Sequence, residues 1–259
     1  MRMPVVFVGH GSPMNAVEDN VFSRGWRSLG ERIPRPKAIL AVSAHWQSKG
    51  TRVCDALKPK QIYDFYGFPS KLYEVVYEVE GSQKLAGRVV EILGDAVSVD
   101  NSWGVDHGSW SVLSRIYPEA DIPVVQVSLD YGSSPEEHFE MGRKLAVLRD
   151  EGYLIFGSGN VVHNLGMIDW GNDGGFAWAV SFDAAVRDGI VGGGALGEVI
   201  ERGVGGSLAV PTNEHYLPLL YCLGAAIGAG NDGDREYMVE VFNEGCVLGS
   251  ISMTSYIFR

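Results

Sequence analysis

Five of the six histidines in this 259-residue chain lie in short motifs: His10 in GHGSP, His45 in SAHW, His107 in WGVDHGSW, His163 in GSGNVVHNL and His215 in PTNEHYLPLLY. Imidazole is a common ligand for borderline divalent metals and the side chain best suited to proton transfer near neutral pH. Several of the motifs directly follow apolar, β-branched runs, which suggests one site assembled from distant parts of the sequence. The sixth, His138 in SPEEHFEMGRKL, has no such setting. Taken singly, each motif histidine also has an ordinary reading. His10 can be a polar residue in a tight turn, His45 a strand-end ring bonded to a carbonyl, and His215 a surface ring at a helix start. His107 and His163 can be loop hydrogen-bonders. Five unrelated structural roles for five of six histidines is the harder explanation to sustain. Glu214 can also bind a metal, and because neighbours on a helix point apart, one of Glu214 and His215 faces the site. Asp106, beside His107, can orient that ring or raise its pKa. Asp55, Asp64 and Asp183 are scattered and read as solvated charges.

The elements that must position these residues alternate. Residues 4–9, 38–44, 96–99, 122–129 and 153–159 read as strands, nearly continuous in apolar character as expected of strands buried on both faces. Helical patterns fall at 18–33, 83–93 and 214–228. Another begins in SSPEEHFEMGRKLAVLRDEG, where Ser134 caps, Pro135 suits the first turn, Glu137 completes a capping box and Gly152 follows as a stop. The tail, REYMVEVFN and GSISMTSYIF, reads as two late strands. The alternation predicts an α/β fold with a mostly parallel central sheet, helices on both faces and a site at the carboxyl ends of the strands. No linker or repeat interrupts it, so the expectation is one domain over 1–259. The Gly-rich stretch 189–206 is a flexible loop or small-residue helix packing. It lacks the GKS or GKT ending of a phosphate loop.

A net charge of -11 and the lack of a basic cluster argue against a nucleic-acid partner. No apolar stretch reaches the length of a membrane span. Cys54, Cys222 and Cys246 are odd in number and far apart, which disfavours disulfides and zinc-thiolate sites and fits reduced thiols of a cytoplasmic protein. HExxH, GxSxG and a helix-opening GxGxxG are all missing. Ser12 and Ser43 lie near histidines, but nothing marks either as a nucleophile.

In their order along the chain, GHGSPMNA, SAHW, YDFYGFP, WGVDHGSW, GSGNVVHNL and PTNEHYLPLLY resemble the class III extradiol ring-cleavage dioxygenases, in particular the DOPA-4,5-dioxygenase-type branch related to LigB-like catalytic subunits. The resemblance runs from residue 4 to about residue 258. It implies an α/β enzyme that uses one non-haem metal and O2 to open a small aromatic diol, acting as a monomer or small homo-oligomer. It further implies His10, His45 and His215 as metal ligands. His163 becomes the acid-base histidine that in some states also reaches the metal, and His107 a second catalytic histidine that handles substrate or oxygen. Fe(II) is the cofactor this implies for dioxygenase activity. A site of three neutral imidazoles lacks the carboxylate of the usual two-histidine iron site and also suits Zn(II), so the alternatives are a zinc-dependent hydrolase on the same histidines or a non-catalytic metal-binding protein. YDFYGFP offers aromatic walls for a flat substrate, or is a plain aromatic-rich turn.

Overall fold

Apolar, β-branched runs become the strands of one eight-stranded sheet. The computed structural model describes residues 2–192, 196–202, 207–228 and 237–259. We number the strands of this sheet along the chain as β1 (Val5–Gly9), β2 (Ile39–Ser48), β3 (Thr51–Val53), β4 (Val97–Val99), β5 (Val124–Asp130), β6 (Leu154–Gly159), β7 (Val239–Phe242) and β8 (Ser255–Phe258). In space they run β4-β3-β5-β2-β6-β1-β8-β7. The middle four, β5, β2, β6 and β1, are mutually parallel, as the sequence predicts. Antiparallel partners flank them: β3 on β5 at one side, then β8 and β7 at the other.

Both faces of the sheet are covered. Val5 and Phe7 of β1 join one apolar core, while Val6 and Val8 join the other. The same alternation separates Leu40 and Val42 from Ile39 and Ala41 in β2. We number the longer helices α1 (Val21–Arg32), α2 (Gln83–Leu93), α3 (His107–Ile116), α4 (Pro135–Leu145), α5 (Ala177–Val191), α6 (Leu196–Arg202) and α7 (Leu217–Ile227). Helices α2, α4, α5 and α7 pack on the first face, α1 and α3 on the second. Helix α4 starts as its sequence requires: the Ser134 hydroxyl accepts from the Glu137 amide and the Glu137 carboxylate from the Ser134 amide. No described helix is long and apolar enough to cross a membrane.

Three differences from the sequence reading matter for the site. Strand β2 does not end near His45; it continues to Ser48, and its register against β5 shifts between Val42 and Gln47. His45 therefore sits in a bulge, a device that re-aims a side chain within a strand. Second, WGVDHGSW is not a plain loop: Asp106 caps α3, and His107 is its first residue. The helix is only ten residues long, and its buried residues include His107, Ser109 and Ser111 beside Trp110, Leu113 and Ile116. Third, α5 occupies a stretch in which no helix was expected. It carries the start of the Gly-rich segment, α6 lies further along, and residues 193–195 and 203–206 lie outside the described residues.

The end of β6 is packed against the turn that precedes α7. The Asn160 amide donates to the His215 carbonyl at 2.8 Å. A Cβ on Gly159 would meet that carbonyl oxygen at 2.1 Å, so only glycine allows this approach. Gly159→Ala is expected to destabilise the protein by about 1–3 kcal/mol, because the turn carrying His215 must move away. Urea unfolding measures this, and an unchanged midpoint would contradict it.

Candidate metal centre

His10 follows β1 directly, and its amide extends the β1–β6 ladder by donating to Gly159 O at 3.0 Å. Its Nδ1 lies 2.9 Å from Ser158 Oγ. That hydroxyl donates its one proton to Gly108 O, at 2.5 Å, so it must accept from His10 Nδ1–H. Burial, followed by the neighbouring imidazoles, holds the His10 pKa well below its usual value. The ring is thus neutral, with Nδ1 protonated and Nε2 bare.

His45 reaches the same point from the bulge. Its Nδ1 lies 3.1 Å from Asp64 Oδ2, and its Nε2 lies 3.2 Å from His10 Nε2. Burial alone would lift the Asp64 pKa, but the close contacts of the His107 and His45 rings outweigh it and keep this carboxyl well below the usual range. Asp64 is therefore an acceptor only, and His45 carries its proton on Nδ1. Burial also opposes a second proton on His45. The close Asp64 contact and the charges of Asp106, Asp64 and Glu214 prevail, and its pKa is raised. A field that favours a proton on His45 Nε2 favours a metal ion there equally.

His215 sits in the turn before α7, with Nδ1 3.2 Å from Glu214 Oε1. The same oxygen accepts from Thr212 Oγ1 at 2.8 Å. Both members of the Glu214–His215 pair thus belong to the site, with the carboxylate behind the ring. The ring centroids of His10, His45 and His215 form a nearly equilateral triangle, 5.1, 5.3 and 5.0 Å on a side. Three Nδ1 atoms are occupied, and three Nε2 lone pairs remain. This donor set fits a borderline divalent metal, and the 3.2 Å between two of the Nε2 atoms suits donors that share an ion at about 2.1 Å.

His163 lies flat against His215, the centroids 3.4 Å apart and the planes within 9°. A ligating imidazole places the metal in its own plane. Two nearly parallel planes this far apart do not both contain one ion, so in this arrangement His163 and His215 do not ligate together. Burial, then His45 and His107, push the His163 pKa down to about 3. His107 lies nearer the other flank: its ring is 4.0 Å from His45 and 5.8 Å from His10. Potential ligand atoms of His10, His45 and His107 lie within 4.8 Å of one another, as do those of His163, Glu214 and His215. The structure thus gathers all five motif histidines into two adjoining groups. His138 is elsewhere, buried with Nε2 3.1 Å from Asp130 O.

The sequence reading needs correction at the carboxylates. Asp106 is not the partner of His107. It caps α3, accepts Ser43 Oγ–H at 2.7 Å and receives the Gln126 side-chain amide. The partner is Asp64, whose Oδ1 lies 2.9 Å from His107 Nδ1. Asp64 is not a solvated charge, and neither is Asp183, which is buried and accepts from Ser252 Oγ and Thr254 Oγ1 at 2.5 and 2.6 Å. The available signal was the place of Asp64 inside YDFYGFP, read there only for its aromatics. Those aromatics divide the work. Phe65 meets the His107 ring edge-on at 5.4 Å, and its other side packs on Phe68 and Tyr73 at 5.5 and 5.0 Å. Tyr66 points to solvent.

In the metal-free protein, a histidine held below its usual pKa of about 6.5 weakens folding in acid, because the unfolded chain takes up the proton first. For His163 the loss begins as pH falls below about 6.5 and is complete near its folded value of about 3. Chelator-treated His163→Gln should lose stability less steeply than the parent between pH 6.5 and 4.5, by up to about 1.4 kcal/mol per pH unit. Denaturant melts give both slopes, and parallel slopes would contradict the expectation.

Comparisons with known proteins bear on this site. Residues 4–229 match the family described as the catalytic LigB subunit of aromatic ring-opening dioxygenase. The chain is similar to the 4,5-DOPA dioxygenase extradiol of Escherichia coli (strain K12), 48% identical over 98% of this chain and 94% of that one. It is also similar to the 4,5-DOPA dioxygenase extradiol of Beta vulgaris, 36% identical over 96% of each. The crystal structure of an uncharacterized Escherichia coli K12 protein superposes with a TM-score of 0.82 at 44% identity, covering 99% of both chains.

Proposed function

This chain belongs to the family of catalytic LigB subunits of aromatic ring-opening dioxygenases, and it is an oxidoreductase of the extradiol class; we propose that it inserts both atoms of O2 into a catechol-type, DOPA-like diol at one non-haem metal. The observation that carries this reading is the triangle of His10, His45 and His215, each ring with Nδ1 occupied and Nε2 bare. Those three Nε2 atoms would hold the metal. When bound, Fe(II) supplies electron transfer with O2 and a charge that acidifies a nearby hydroxyl, whereas Zn(II) supplies the charge alone. We take residues 1–259 as one catalytic domain, which the pairing of β1 with β8 supports.

The remaining residues handle protons and fit. His163 is neutral at pH 7 and can take a hydroxyl proton from the diol on a ring nitrogen. Once charged, its imidazolium stands beside the oxyanion that develops, in a site where burial of His10 and His215 limits screening by water. His107, its Nδ1 facing Asp64, presents Nε2 as a second proton-handling atom. Phe65, edge-on to His107, offers a flat apolar wall for an aromatic ring.

Loading the metal-free protein with Fe(II) without air, then adding L-DOPA and O2, should give uptake of one O2 per ring opened and a coloured product. With 18O2, both labelled atoms should appear in that product. O2-independent turnover with Zn(II), or a single labelled atom, would contradict the reading. His163→Ala should keep the metal and lower kcat by about 10²–10⁴-fold, while His45→Ala should lose the metal. The reverse pattern, read by metal analysis, would overturn the assignment of roles.

A further inference from the structure

We propose that Asp64 is a positioning residue that sets the tautomers of two imidazoles with different tasks, the metal-holding His45 and the proton-handling His107. The proposal rests on the reading of those two histidines given above. It starts from the register of a short parallel ribbon in which Lys60 pairs with Gly104 and Gln61 with Val105. The Ile62 amide extends this ribbon by donating to Val105 O at 2.9 Å, and Trp110 Nε1 donates to Ile62 O at 2.8 Å. Two residues on, the chain delivers Asp64 to the first turn of α3.

There the carboxylate divides. Oδ1 accepts the backbone amide of His107 at 3.0 Å and lies 2.9 Å from His107 Nδ1. The backbone bond is well aligned, while the ring contact is short but off the N–H axis. Oδ2 lies 3.1 Å from His45 Nδ1, a close contact likewise off the N–H axis. A carboxylate has no proton to give. A bare, electron-rich Nδ1 at either distance would be repelled by the carboxylate's negative charge even off axis, so each ring carries its hydrogen on Nδ1. Both Nε2 atoms are then bare, one able to bind metal and the other able to accept a proton. Among the described residues, Asp64 is the only side chain that pairs with either Nδ1. One residue thus controls metal retention through one oxygen and proton transfer through the other.

Asparagine weakens both arms, because it removes the negative charge the two rings share and can turn its single acceptor oxygen to only one of them. Metal affinity is measured by competition with a chromophoric chelator, and kcat at saturating Fe(II). Both are compared in the parent, Asp64→Asn, His107→Ala and the double variant. Asp64→Asn should weaken metal binding about 10–100-fold whether or not His107 is present. It should lower kcat in the parent yet add nothing in the His107→Ala background. An effect on only one of the two readouts overturns the bridge, as do multiplicative losses of kcat or no change at all. Should the variant fail to fold, nitrogen NMR of the 15N-histidine-labelled, Zn(II)-loaded parent decides the matter. His45 and His107 should both be protonated on Nδ1, and protonation of either on Nε2 overturns the proposal. A parent that neither holds metal nor consumes O2 defeats the functional reading itself, whereas an active parent beside an unaltered Asp64→Asn defeats only the role of Asp64.

Discussion

The proposed metal site depends on one requirement: three imidazoles, His10 and His215 buried and His45 partly so, must stay neutral and keep Nε2 free. A neutral histidine carries one hydrogen, and only an acceptor at Nδ1 keeps it away from Nε2. The fold supplies three different acceptors. For His10 it is the Ser158 hydroxyl, whose own proton is committed to Gly108 O. Asp64 does this for His45, and Glu214, steadied by Thr212, for His215. Each acceptor sits on a different element from those of the other two, so the sheet must hold all of them in register at once. The parallel pairing of β1 with β6 and of β6 with β2 does this, and the bulge in β2 turns His45 inward.

Charge follows the same logic. A site built from three imidazoles brings no negative ligand to a divalent ion. The compensating carboxylates stand one contact further out, Asp64 behind His45 and Glu214 behind His215. Their combined field, with that of Asp106, raises the proton affinity of His45 against the opposing effect of burial. His10 and His215, deeper and surrounded by other rings, are pushed the opposite way by burial and then by their neighbours. The arrangement favours a cation at the centre and neutral rings around it. This is the state in which His163 and His107 can receive protons.

The parallel heart of the sheet was legible because strands buried on both faces write themselves as unbroken apolar runs. Helix α4 was legible because its cap is local, spelled by Ser134, Pro135 and Glu137. The histidines were legible as a group because five of six lie in motifs. Other features depend on contacts that leave no periodic trace. A bulge at His45 changes no residue type, and the short α3 buries serines and a histidine together with its apolar residues. Asp64 lies 19 residues beyond His45 and 43 before His107, a spacing no local rule connects. Its role emerges only when the Lys60–Gln61 ribbon is laid beside Gly104–Val105. Asp106 misled for the opposite reason, since adjacency along the chain to His107 suggested a pairing that helix capping forbids.

If three bare Nε2 atoms share one ion, crystals of the Fe(II)-loaded protein should show a single strong anomalous peak at the iron edge. That peak should lie about 2.1 Å from Nε2 of His10, His45 and His215, with His163 stacked outside the coordination sphere. A peak ligated through any Nδ1, or held by His107 in place of His215, would contradict the central claim.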